Sequence, residues 1–241
     1  MKIIKWLLII LGILILTGVI GCFALSEKRP TGKPTSQADA MAQNMLNALN
    51  YESYKKTKYF RWDFGGRHNF FYDQHRNKAI INWKENKVIM QLDTQKGTAY
   101  IDGVEVTGDK KQKLLDKAWA HWCNDSFWMF APFKVFDPGT TRKIVKDEDG
   151  REGLMIEYTS GGVTPGDGYL WLLDDNYMPT GYKMWTSIIP VKGMYASWEN
   201  YKEYEGAKYA TLHNMGINLE IGNFLASNNL SDFGFEKDPF Q

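Results

Sequence analysis

Residues 57–101 read TKYFRWDFGGRHNFFYDQHRNKAIINWKENKVIMQLDTQKGTAYI, and the spacing of their apolar side chains decides the fold. In Thr57–Phe64, Phe60, Trp62 and Phe64 point one way while Arg61 and Asp63 point the other. Period two means a half-buried strand. Gly65-Gly66 signals a tight turn, and Arg67–Asp73 returns. Lys78–Trp83 alternates Ala79, Ile81 and Trp83; Lys87–Asp93 alternates Val88, Met90 and Leu92; Gly97–Ile101 is a fifth short strand. Strands about ten residues apart with polar turns between them describe an antiparallel meander.

Helical spacing takes over on either side. Ser36 followed by Asp39 reads as a capping box opening a helix to about Tyr54, with Met41, Met45, Ala48 and Leu49 on one face. Gly108–Asn124 carries Leu114, Leu115, Ala118, Trp119 and Trp122 as a second helical stripe. Asp125–Val135 is crowded with aromatics and leads to the turn Asp137-Pro138-Gly139. Further strands are expected at Arg142–Lys146, Gly153–Tyr158, Gly168–Asp174, Thr180–Trp185, Met194–Tyr204, Lys208–Met215 and Ile217–Phe224. The Gly- and Pro-containing loop Ser160–Asp167 is placed to gate an opening, and the tail after Ser227 reads as irregular.

The N-terminus is of another kind. Lys2 and Lys5 precede an uncharged run from Trp6 to Leu25, about 20 residues and long enough to cross a bilayer. Positive charge on its N-terminal side keeps that end in the cytoplasm and exports the rest of the chain. Two readings stand: an uncleaved transmembrane helix, or a lipoprotein signal whose Val19-Ile20-Gly21-Cys22 places a small residue before a lipidated Cys22. Residues 1–25 are thus an anchor or signal, 26–35 a linker with Pro30, Gly32 and Pro34, and 36–241 one extracytoplasmic domain. The expected location is the bacterial cell envelope.

Composition excludes several functions. With 29 basic and 28 acidic residues there is no basic field to hold nucleic acid. Of two cysteines one lies in the anchor, so Cys123 has no disulfide partner within the domain. There is no nucleophile elbow, no P-loop and no dinucleotide fingerprint. None of His68, His75, His121 and His213 pairs with another at i, i+4, and none has zinc-type spacing to another ligand. His68 and His75 lie on either side of a strand end and read as sheet-edge residues. His121 and Cys123 diverge by about 200° on a helix, too far for a nucleophile–base pair. Asp147-x-Asp149-Gly150 reads as a hairpin turn rather than a calcium loop, and Glu199 and Glu203 as one solvated strand face. The expectation is a chain that is not an enzyme and has neither cofactor nor metal.

Two stretches carry a family likeness: Asn124-Asp125-Ser126-Phe127-Trp128-Met129-Phe130-Ala131-Pro132-Phe133, and Tyr169-Leu170-Trp171-Leu172-Leu173-Asp174 followed by Met178-Pro179-Thr180. With the order helix, aromatic strands, inserted helix and more hairpins over most of Ser36–Phe224, this resembles the LolA/LolB-type fold of bacterial lipoprotein carriers. The resemblance implies an α+β fold: a strongly curved antiparallel β-sheet, a half-barrel, with helices covering the concave face. In such carriers the hollow takes up acyl chains. An anchor would prevent shuttling, but LolB-type receptors are themselves lipid-anchored. No individual functional residue carries over.

Nine Trp, 13 Tyr and 13 Phe are a surplus of aromatic surface for a curled sheet to bury. The expected function is a membrane-tethered binding protein for a lipid-like or other hydrophobic ligand, such as an acyl chain. Its lining candidates are Phe60, Trp62, Phe64, Trp83, Met90, Trp171, Trp185 and Trp198. The alternative is an envelope structural or protein-interaction module with a filled core and an exposed aromatic patch.

Overall fold

Trp62, Phe70, Ile81, Val88 and Ala99 form one row across five neighbouring strands, each Cα opposite the next, and all are buried. That row is the period-two pattern of the sequence in three dimensions. In this computed structural model, residues 24–160 and 164–241 are described, with positions 4, 6, 10, 14, 17 and 21. The anchor as a continuous run, Cys22, and residues 161–163 of the expected gating loop lie outside the described residues. Among the described residues no helix is long and apolar enough to cross a membrane.

The fold is α+β, with two antiparallel sheets and no closed barrel. The strands are β1 (Tyr59–Phe64), β2 (His68–Asp73), β3 (Lys78–Trp83), β4 (Asn86–Gln91), β5 (Lys96–Ile101), β6 (Val104–Val106), β7 (Thr140–Lys146), β8 (Glu152–Tyr158), β9 (Gly168–Leu173), β10 (Pro179–Trp185), β11 (Met194–Ser197), β12 (Glu199–Tyr204), β13 (Ala207–Asn214) and β14 (Asn218–Ser227). Nine make one sheet in the order β12-β13-β14-β1-β2-β3-β4-β5-β6, and five the other, β11-β10-β9-β8-β7.

The single sheet expected from the sequence is therefore divided. The division falls inside what reads as one strand, Met194–Tyr204. Trp198 separates β11 from β12, and its backbone N–H donates to Thr180 O at 2.9 Å, on the five-stranded side. Two residues on, Asn200 has φ +52°, a left-handed turn of the backbone that swings β12 onto β13.

The helices cover the inner face. In α1 (Ser36–Ala48), Ala38, Ala42, Met45 and Leu46 are buried and the helix packs on β7 and β8. Its cap is Thr35, one residue earlier than expected, whose hydroxyl accepts from Ala38 N at 3.1 Å. The expected single helix to Tyr54 breaks at Asn50, φ +56°, before a short α2 (Tyr51–Lys56). α3 (Gly108–Phe130) packs on β4, β5 and β13 and runs six residues past the expected end at Asn124. Polar Asn124-Asp125-Ser126 does not stop it, because Asp125 and Ser126 are buried in the helix and Asp125 finds side-chain partners there. Pro132 stops it, in the 3-10 turn Ala131–Lys134.

Chain ends close the outer faces. The stretch expected as a free spacer is tied to the five-stranded sheet: Glu27 N–H donates to Lys192 O at 2.8 Å, and Trp185 Nε1 donates to Glu27 O at 2.9 Å. Lys28 N–H donates to Glu148, and Arg29 pairs with Glu157 at 3.1 Å. Underneath lies a second apolar cluster, Val145, Met155, Leu170, Leu172 and Trp185. The tail after Ser227 does the same for the larger sheet, where Phe233, Phe235 and Phe240 pack around Tyr59, Phe71 and Ile80.

Candidate functional site

Between the second half of α3 and the inner face of β8–β10 lies a cavity of about 320 Å³, within the size range of small-molecule sites. α3 supplies Trp119, Trp122, Cys123, Ser126, Phe127 and Trp128. Tyr158, Tyr169, Tyr182 and Met184 come from the sheet. They face inward by strand alternation: Trp171 and Tyr182 pair across β9–β10, and Ile156 and Tyr169 across β8–β9. Ile188, mostly exposed, and Ile189 border the cavity. So do Ser160 and Thr164, the described neighbours of residues 161–163.

The wall is mainly aromatic. Phe127 lies 4.6 Å from Tyr169, ring centre to ring centre, and Tyr169 lies 5.3 Å from Tyr182, edge to face. Polar groups are few and grouped. Asp167, buried, accepts from Thr164 Oγ1 at 2.6 Å, from Tyr169 OH at 3.3 Å and from Ser187 N–H at 3.1 Å. Lys134 and Asp137 pair at 3.1 Å. The Tyr158 hydroxyl is shielded from solvent and has no hydrogen-bond partner among the described residues. An unpartnered buried hydroxyl costs free energy of about 1–3 kcal/mol, which a bound acceptor would relieve.

Burial pushes the Tyr158, Tyr169 and Tyr182 hydroxyls above the ordinary phenol range, so all three remain protonated donors. Burial also pushes the Cys123 thiol up to about 12. A thiol of that kind is a poor nucleophile. No histidine is among the described residues lining the cavity, so neither Ser126 nor Cys123 has an imidazole base beside it there.

The eight lining candidates lie elsewhere. Phe60, Trp62, Trp83, Met90, Trp171 and Trp198 are packed into the main core, and Phe64 is half-buried against it. Trp62 stacks on Phe70 at 4.7 Å, and Trp171 meets Trp198 at 4.9 Å. Trp185 points to the outer face and its cluster. None of the eight lines the 320 Å³ cavity. Trp62 borders a more open hollow of about 610 Å³ that also touches Phe71, Ile80 and the tail residues Phe233 and Phe235. The cavity residues that sequence reasoning passed over had one visible signal. Tyr158, Tyr169 and Tyr182 put hydroxyls on the apolar side of their strands.

No protein-family model matches this chain, and no curated protein does. Among solved structures it is similar to a LolA superfamily protein from Nitrosomonas europaea, at 12% identity and TM-score 0.38 over 82% of this chain and 98% of that one. It is also similar to a DUF1329 family protein from Desulfovibrio piger, at 11% identity and TM-score 0.44 over 86% of this chain and 100% of that one. Both are likenesses of fold and bring no residue role with them.

Proposed function

We propose that this chain is a non-catalytic binding protein for a hydrophobic or lipid-like ligand, tethered to a membrane with its domain outside the cytoplasm. The cavity carries the reading. Its wall of aromatic, Met and Ile side chains suits an apolar body, and the Asp167–Tyr169 group with the free Tyr158 hydroxyl suits one polar tip. The tether rests on the charge and hydropathy of residues 2–25 alone. A mass of the mature N-terminus decides its form: an acylated Cys22 means a lipoprotein, an intact Met1 a membrane span.

The binding test uses the full chain and a dibrominated fatty acid, which quenches tryptophan on contact. Trp119, Trp122 and Trp128 line the cavity and report directly. Saturable quenching is expected in the native chain, severalfold weaker in Ile188→Glu, and absent in Cys123→Phe, which fills the space. Equal quenching in all three would remove the cavity from consideration.

One observation favours a second reading, an envelope interaction module with a filled core: Trp62 and Trp171 are fully buried, with ring neighbours 4.7–5.0 Å away. Absence of saturable quenching in the native chain, with a protein partner found by crosslinking in intact cells, would establish it instead.

A further inference from the structure

His121 and Asp125 stand one turn apart on α3, so their side chains leave the same face of the helix. His68, the first residue of β2, lies against that face. Its Nδ1 is 2.6 Å from Asp125 Oδ2, and its ring centre is 3.8 Å from that of His121. One ring nitrogen from each histidine and one oxygen of Asp125 lie within 4.8 Å of one another. We propose that His68, His121 and Asp125 form a binding site for a late first-row divalent cation of the zinc class, with one coordination position left open.

The donor set decides the class of ion. Two imidazoles and one carboxylate suit zinc, and cobalt or nickel in its place; they offer too few oxygens for calcium or magnesium. Ligands about 2.0–2.1 Å from a tetrahedral ion stand roughly 3.4 Å from each other. The His68–Asp125 contact must open from 2.6 Å and the longest separation must close from 4.8 Å, side-chain movements of about 1 Å.

Two independent features point to a ligand. Nε2 of His121 is shielded from solvent and makes no hydrogen bond among the described residues, a nitrogen in a wall of Trp83 and His68 rings. Asn124 Nδ2 donates to Asp125 Oδ1 at 2.8 Å, which fixes the carboxylate and leaves Oδ2 to face the histidines. Metal sites use this second layer of hydrogen bonding to orient their ligands. The His68 side chain is 20% exposed, so an ion can reach the site from solvent. Lys117, one turn before His121, is the opposing charge: it lies 6.0 Å over Trp83, and its repulsion weakens the site without occupying it.

The test takes the full chain, produced without a histidine tag and stripped with a chelator. Zinc is titrated against a chromophoric competitor, and cobalt is added separately to read its visible absorption. The expected result is one equivalent bound, a tetrahedral-type cobalt spectrum, and a weakening on the order of 100-fold in Asp125→Asn and His121→Gln. His75→Ala, which removes an exposed histidine outside the set, should bind like the native chain. His121→Gln is the deciding variant, because among the described residues Nε2 of His121 has no hydrogen bond to lose. Its fold is checked by urea unfolding without metal. No tightly held equivalent in the native chain, or equal affinity in a folded His121→Gln, overturns the proposal.

Discussion

The Nζ of Lys183 lies 2.7 Å from Oε1 of Glu27, joining the middle of β10 to a residue that precedes α1. The lysine is buried on the outer face, and Asp147 at 3.1 Å and Asp149 at 3.3 Å complete its surroundings. Burial opposes the charge, but Glu27, Asp147 and Asp149 together outweigh it and raise the Lys183 pKa. The N-terminal stretch is therefore part of the fold.

Removing Lys183 leaves the buried Asp147 carboxylate with Arg151 as its remaining cation. Lys183→Ala should destabilise the protein by about 3 kcal/mol in urea unfolding. Glu27→Ala removes the partly exposed member and should cost nearer 1 kcal/mol. It should also speed trypsin cleavage after Lys28, the one cleavable bond of the stretch because Pro30 and Pro34 protect Arg29 and Lys33. Unchanged cleavage in Glu27→Ala would show that the backbone bonds to Lys192 and Trp185 hold the stretch alone.

His213 makes stability depend on pH. It is fully buried between Trp128 and Trp198, and burial lowers its pKa to about 4 against an offset from the carbonyl of Ser197. The folded value lies below the ordinary one near 6.5. Between the two the unfolded chain binds more protons, so stability falls as the pH drops. The full effect is about 3 kcal/mol, with the first part appearing between about pH 7 and 5. The urea midpoint of the native chain should fall over that interval, and that of His213→Gln should fall less. Equal slopes would assign the dependence to other groups, His121 first, whose pKa burial also lowers to about 4.

Core and cavity residues should separate in two measurements. Trp171 is fully buried against Tyr182 and Trp198. Trp171→Ala should cost about 3–5 kcal/mol of stability and leave the affinity for a brominated fatty acid within twofold. Ile188→Glu, at an exposed position, should cost less than about 0.5 kcal/mol and lower that affinity severalfold. The reverse pattern would return Trp171 to the ligand site.

These contrasts mirror the limits of sequence patterning. The meander from Tyr59 to Ile101 was legible because β1, β3 and β4 carry apolar residues at every second position and polar turns separate the strands, and its five strands lie within two residues of their expected bounds. The division at Trp198 was not, since a strand that changes sheets keeps its period. The end of α3 was misread because Asn124-Asp125-Ser126 looks like a helix stop, and it takes the distant His68, beside Asn124, to make a buried aspartate tolerable there. Large aromatics were expected to line a hollow, but size equally suits dense packing, and Phe60, Trp62 and Trp171 are packed. The cavity draws on α3, three strands and three connecting segments, and no local pattern joins them. The grouping of His68, His121 and Asp125 was not legible, because His68 and Asp125 lie more than 50 residues apart in the chain.

Cys123 offers a chemical readout of the cavity without any substitution. It lies in the cavity wall, unpaired, and burial pushes its thiol up to about 12. An ordinary cysteine near 8.5 is about a quarter thiolate at pH 8, so Cys123 should carry thousands of times less of the reactive form. The full chain should therefore react with a water-soluble disulfide reagent orders of magnitude more slowly than the urea-unfolded chain. A ligand seated against Trp119, Phe127 and Tyr169 would cover the same sulfur and slow the reaction further, in proportion to its occupancy. A rate that matches the unfolded chain would mean the thiol is open to solvent. A slow rate indifferent to every fatty acid tried would mean that these ligands do not enter this cavity.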